Sequence, residues 1–176
     1  MAEKKTDLIT FKGSPLTLLG KQVQPGDKAP DFTVRKGLAP DSEYTLASDA
    51  GKTRILNVVP SLDTPVCSLQ TRRFNQEASK LSDQAVIVTI SMDLPPAQAR
   101  WCAAEGVENL TMTSDYYDRS FAKAYGLMIE ELGLLARTVI IIDPDDTVRY
   151  VQLVPEVAQE PNYEAVLVAA QEVLSE

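Results

Sequence analysis

Three short apolar runs rich in β-branched residues, Ile55 to Val59, Ala85 to Ile90 and Thr138 to Ile142, are separated by longer stretches with helical spacing. Runs of that kind read as strands buried on both faces, which requires a sheet with parallel strands covered by helices. The pattern restricts the chain to the α/β class. The third run passes through Asp143, Pro144, Asp145 and Asp146, a strong turn, into Val148 to Leu153. That pair is expected to form an antiparallel hairpin. The predicted sheet has a parallel core and an antiparallel edge.

Between the strands, Val66 to Leu81 places Val66, Leu69, Phe74, Ala78 and Leu81 near one helical face. Ala97 to Glu105 and Phe121 to Tyr125 read as shorter helices. A last helix, from about Asn162 to Leu174, has Asn162 as its cap and Tyr163, Val166, Leu167, Ala170 and Leu174 as its apolar stripe. Ahead of the first buried run, Ile9 to Leu18 alternates around Lys12 and Gly13 and reads as a hairpin decorating an edge. Pro25 to Pro30 is a loop, and Phe32 to Val34 and Tyr44 to Leu46 are short strand candidates. No repeat, low-complexity tract or linker divides the 176 residues, so a single domain over 1–176 is expected.

A formal charge of −8 with no histidine narrows the chemistry. Phosphate backbones and anionic membranes call for clustered Lys and Arg, so neither nucleic acid nor a membrane surface is an expected partner. Without histidine there is no Ser/His or Cys/His nucleophile pair and no imidazole-ligated zinc. No metal or bound cofactor is expected. The opening Met1 to Asp7 lacks the apolar stretch of a secretory signal, and no apolar run approaches a membrane span. A cytoplasmic location is therefore expected, where the two cysteines would be catalytic, redox-sensing or simply buried.

Cys67 sits in the stretch Pro60, Ser61, Leu62, Asp63, Thr64, Pro65, Val66, Cys67, between a buried strand and an amphipathic helix. Ligands collect at such carboxyl ends of strands in open α/β sheets. Thr64 followed by Pro65 reads as an N-cap and first helical residue, which puts Cys67 in the first turn. The unsatisfied N–H groups there favour thiolate over thiol. An anionic, uncovered sulfur is the expectation, with Asp63 pointing outward so as not to oppose it. Position alone leaves two readings, a reactive thiol or a small buried apolar residue.

Pro60, Thr64 and Cys67 together match the Pro-x-x-x-Thr-x-x-Cys signature of the peroxiredoxins. The text from Asn57 to Ser68 more narrowly resembles the bacterial thiol peroxidase branch, the atypical two-cysteine peroxiredoxins. Phe11 to Gly13, Arg100 to Gly106 and Leu135 to Asp143 agree with that branch, so the resemblance covers nearly the whole chain. It implies a thioredoxin-like fold: a central mixed sheet flanked by helices, with an N-terminal β-hairpin at about 9–18. By that resemblance Cys67 is the peroxidatic thiolate, which attacks a hydroperoxide and becomes a sulfenic acid. Thr64 holds the peroxide and donates to the thiolate, Arg137 supplies fixed positive charge, and Pro60 shields the sulfur. Cys102 is the resolving cysteine that closes an intramolecular disulfide, with partial unwinding of the turn around Cys67 or of the Trp101–Cys102 helix. The resemblance also implies hydrogen peroxide and alkyl or lipid hydroperoxides as substrates, thioredoxin as reductant, and a homodimer. Tyr117 departs from the pattern, standing where some relatives carry an arginine, and Arg119 lies two positions off.

Two rivals remain at this level. A dithiol oxidoreductase would need Cys-x-x-Cys, which is absent, whereas a redox sensor would form the same disulfide without sustained turnover. A non-enzymatic binding protein would be indifferent to Cys67→Ser.

Overall fold

A computed structural model describes residues 1–176. Its main sheet is built on β5 (Thr53–Val58), β6 (Ala85–Ser91) and β10 (Thr138–Ile142), the three apolar runs. Strands β11 (Val148–Leu153), β7 (Thr111–Ser114), β3 (Val34–Arg35) and β4 (Glu43–Tyr44) complete it in the order β11-β10-β5-β6-β7-β3-β4. Every residue of β5 and β10 is buried. Their side chains divide by alternation, as a pleated strand requires. Leu56, Val58, Ile140 and Ile142 enter one core, while Ile55, Val139 and Ile141 enter the other.

The second core is closed by α1 (Pro65–Ala78) through Phe74 and by α4 (Tyr163–Leu174) through Val166, Ala170 and Val173. Asn162 caps α4 as expected, its side-chain oxygen accepting from Ala165 N at 3.0 Å. The first core receives α3 (Ser120–Tyr125) through Phe121 and Tyr125. Helix α2 (Pro95–Glu105) lies beside β7, with Gln98 Nε2 donating to Thr113 O at 2.7 Å. The result is an α/β protein with a mixed, thioredoxin-like sheet.

Two expectations change. Strand β10 runs antiparallel to β5, not parallel, although β5 and β6 are parallel as expected, and β7, which the sequence did not reveal, continues them in the same sense. A strand buried on both faces looks alike in either direction, so its apolar run carries no sense of polarity. The N-terminal hairpin, β1 (Lys4–Phe11) and β2 (Ser14–Leu19), is longer than expected and does not decorate the main sheet. It joins β8 (Met128–Ile129) and β9 (Leu134–Leu135) in a second, four-stranded sheet. From there Ile9, Leu16 and Leu18 pack into the first core. Glu156 fastens the hairpin by accepting from Thr10 Oγ1 at 2.7 Å, Lys12 N at 2.9 Å and Gly13 N at 3.2 Å.

Candidate active site

Strand β5 ends at Val58, and the buried Pro60 two residues on has no N–H with which to continue the ladder. The turn Ser61–Thr64 then leads into α1 at the carboxyl ends of the parallel strands. Thr64 has extended backbone at the N-cap position and Pro65 opens the helix, as the sequence predicts. The Thr64 side chain, however, caps nothing. Its hydroxyl donates to Ser61 O at 2.8 Å, beside the Thr64 N–H at 3.2 Å to the same carbonyl. The expected donation from Thr64 to the sulfur is therefore replaced by this turn bond, and its oxygen is left as an acceptor. Asp63 is exposed, as expected.

Cys67 lies in the first turn of α1 with 0% of its surface exposed, packed with Val59 and Leu62 and flanked by Trp101 and Met112. The expectation of an uncovered sulfur is not met. Val59, just past β5, and Leu62 of the turn pack against it.

The register Thr138↔Val58 sets Arg137 beside the end of β5, level with the turn. Arg137 is 2% exposed. Its Nη2 donates to Cys67 Sγ at 3.3 Å, its Nη1 to Gln70 Oε1 at 2.9 Å, and Nε and Nη2 both reach Val157 O at 3.1 and 2.8 Å. A buried guanidinium is tolerable only when its donors are met. Here they are met by a carbonyl, a neutral amide and sulfur.

Gln70, Asn57, Asp93 and Val157 escaped the sequence reading. Gln70 Nε2 donates to Asn57 Oδ1 at 2.7 Å, so a polar chain runs from Cys67 through Arg137 and Gln70 into β5. Both had a signal. Gln70 stands three residues after Cys67, hence on its helical face, and Asn57 is a polar residue inside an apolar run. Asp93, just past β6, accepts from Ser61 and Leu62 of the turn.

Cys102 is half-buried on α2, and both thiols are free. Burial pushes the Cys102 thiol up. Its carbonyl accepts from Val107 N at 3.0 Å and from the amide of Gly106, the left-handed C-cap. Cys102 is thus in the last turn of its helix, and its neighbour Trp101 packs on the cluster around Cys67. Tyr117 is 67% exposed, with the Arg35 guanidinium 4.5 Å over its ring. Arg119 is exposed and starts α3 in left-handed backbone. The arginine that reaches Cys67 is Arg137.

A thioredoxin-like sheet with a cysteine in the first turn of α1, facing a buried arginine, defines a peroxiredoxin-type thiol enzyme. The Redoxin family model matches residues 24–167. The thiol peroxidase of Streptococcus pneumoniae (strain R6) is 51% identical over 163 residues, 93% of this chain and 98% of the relative. The thiol peroxidase of Halalkalibacterium halodurans is 53% identical over 167 residues, 94% and 98% of the two chains. A peroxiredoxin-like protein from Aquifex aeolicus superposes with a TM-score of 0.87 at 38% identity, covering 97% of this chain and 99% of that one. The chain belongs to the Redoxin family and, within it, to the thiol peroxidases, enzymes that reduce peroxides through a thiol.

Proposed function

We propose that Cys67 is the peroxidatic residue and Cys102 the resolving one. The observation that carries this is the contact between Arg137 and Cys67. Arg137 is buried with no carboxylate among its partners, so the sulfur is the one contacting group able to carry the matching negative charge. A thiolate there gives an electron pair to the near oxygen of ROOH, the O–O bond breaks, and RO⁻ leaves to take up a proton. Cys67 becomes a sulfenic acid. Thr64 accepts from the O–H of the peroxide, Arg137 steadies charge on the departing oxygen, and Pro60 keeps the loop against the sheet.

For peroxide to reach the covered sulfur, the apolar cover of Val59, Leu62, Trp101 and Met112 has to part. Cys102 then attacks the sulfenic sulfur, water leaves, and a disulfide forms. The two cysteines start on different helices, so part of α1 or α2 must loosen first. Thioredoxin re-reduces the disulfide, the substrates are hydrogen peroxide and alkyl or lipid hydroperoxides, and the protein works as a cytoplasmic homodimer of single-domain chains. These last features rest on likeness to the thiol peroxidases.

Stopped-flow oxidation of wild type, Cys67→Ser and Cys102→Ser is the test. The first variant is expected to lose the reaction, and the second to accumulate a sulfenic acid that overoxidises. Equal rates in wild type and Cys67→Ser would remove the assignment.

A further inference from the structure

Asp93 links the end of β6 to the start of α2, and its carboxylate turns toward the Cys67 loop. Oδ1 accepts from Ser61 Oγ at 2.7 Å, while Oδ2 accepts from Leu62 N at 2.9 Å and Ser91 Oγ at 2.7 Å. Ser61 is the residue whose carbonyl holds both the N–H and the hydroxyl of Thr64. Ser91 Oγ in turn accepts from Gln98 Nε2 at 3.0 Å, which fixes the first half of α2 to the same point. A carboxylate on a loop next to a sulfur that works as an anion is electrostatically unfavourable. Its acceptor capacity explains its presence: three donors converge, and the single oxygen of an amide could not serve them all in this geometry.

We propose that Asp93 is a positioning residue for peroxide reduction, which fixes Ser61 and through it aims the Thr64 hydroxyl oxygen at the peroxide. This rests on the reading of Cys67 and Thr64 given above. Misplacement of a substrate-holding group by an ångström lowers a rate by up to about 100-fold. The effect of losing Asp93 should therefore pass through Thr64 and vanish once Thr64 has lost its hydroxyl.

The test is a double-mutant cycle on Asp93→Asn and Thr64→Val, with hydrogen peroxide as probe and the rate of Cys67 oxidation as readout. Asp93→Asn is expected to slow oxidation by about 10-fold, and the double variant to match Thr64→Val within about 2-fold. Alkylation of Cys67 by iodoacetamide, which needs no peroxide-holding group, should stay equal or quicken in Asp93→Asn. Multiplying effects in the cycle, or an unchanged rate in Asp93→Asn, would overturn the assignment. If Asp93→Asn does not fold, Ser61→Ala carries the same cycle, since it leaves the Leu62 and Ser91 bonds in place. Cys67→Ser, run alongside, separates the two ideas: if it still consumes peroxide, the reading of the site fails and takes the Asp93 proposal with it, whereas an inert Cys67→Ser beside an unchanged Asp93→Asn overturns the role of Asp93 alone.

Discussion

Gln70 Oε1 lies 2.9 Å from Arg137 Nη1, one turn along α1 from the Cys67 sulfur that receives Nη2 of the same guanidinium. Arg137 thus grips α1 at two successive turns. If the first turn unwinds to deliver Cys67 to Cys102, Gln70 and the Val157 carbonyl still hold the arginine in the place the Cys67 sulfur has left.

Replacing that arginine should therefore damage both chemistry and stability. Arg137→Lys keeps the charge but gathers its donors on one nitrogen, which cannot occupy the positions of Nε, Nη1 and Nη2 together, and oxidation of Cys67 should slow by about 100-fold in stopped-flow. Arg137→Met leaves Gln70 Oε1 and Val157 O without a donor and should lower stability by about 2 to 4 kcal/mol in urea denaturation. Full activity in Arg137→Lys would show that the planar fork is not required.

Oxidation should loosen the end of α2. The amides of Gly106 and Val107 both donate to Cys102 O, so moving Cys102 breaks these bonds. Their hydrogen exchange should accelerate in the disulfide form while that of Gln98, held by Leu94 O at 3.0 Å, stays the same. Unchanged exchange at Gly106 and Val107 would assign all of the rearrangement to α1.

The pH dependence of disulfide closure follows from the burial of Cys102. Burial raises that thiol above its ordinary value, so its thiolate fraction is small at neutrality and grows with pH. If Cys102 attacks from the folded helix, the closure rate should climb roughly tenfold per pH unit from about 7 to 9 with no plateau. A plateau already at about 8.5 would mean that the helix unwinds before attack, because that is where a solvated thiol titrates.

A second titration bears on stability. Asp115 accepts from Phe121 N at 2.9 Å and Ala122 N at 2.8 Å, yet burial outweighs these bonds and lifts its carboxyl from 3.8 to about 6. Between those values the folded chain holds a proton that the unfolded chain has released. Stability should then fall as pH rises through this window, by on the order of 2 to 3 kcal/mol, and level off above it. Urea midpoints of wild type measured against Asp115→Asn from about pH 4 to 7 should show that loss. A flat difference would mean that the two N–H donors offset the burial.

The α/β class, the helices and the place of Cys67 were legible because each has a local cause: β-branched runs, helical apolar spacing, and Thr64-Pro65 ahead of the cysteine. Strand β7 was missed since Thr111–Ser114 offers no apolar alternation, and its buried Thr113 is satisfied by a bond to Thr89 O at 2.9 Å that only the fold supplies. Strands β8 and β9 have two residues each and exist through pairing, β8 with β2 and β9 with β8. At the site, the sequence pointed to Arg137 only by resemblance, because the carbonyl of Val157 that anchors it is 20 residues away. The Thr64 hydroxyl was misjudged because a turn carbonyl competes for its proton, and the cover over the sulfur because Val59 and Leu62 carry no local sign of which way they fold.

Glu156 clasps Thr10, Lys12 and Gly13 with one carboxylate, and the next residue, Val157, offers the oxygen that orients the guanidinium. Its ionisation is secured down to about pH 2, chiefly by the Thr10 hydroxyl. The leading ribbon, though it holds none of the reacting atoms, is thereby geared to the chemistry one peptide bond away. Cutting it away would free Glu156 and slacken the carbonyl next to it, on which Arg137 hangs.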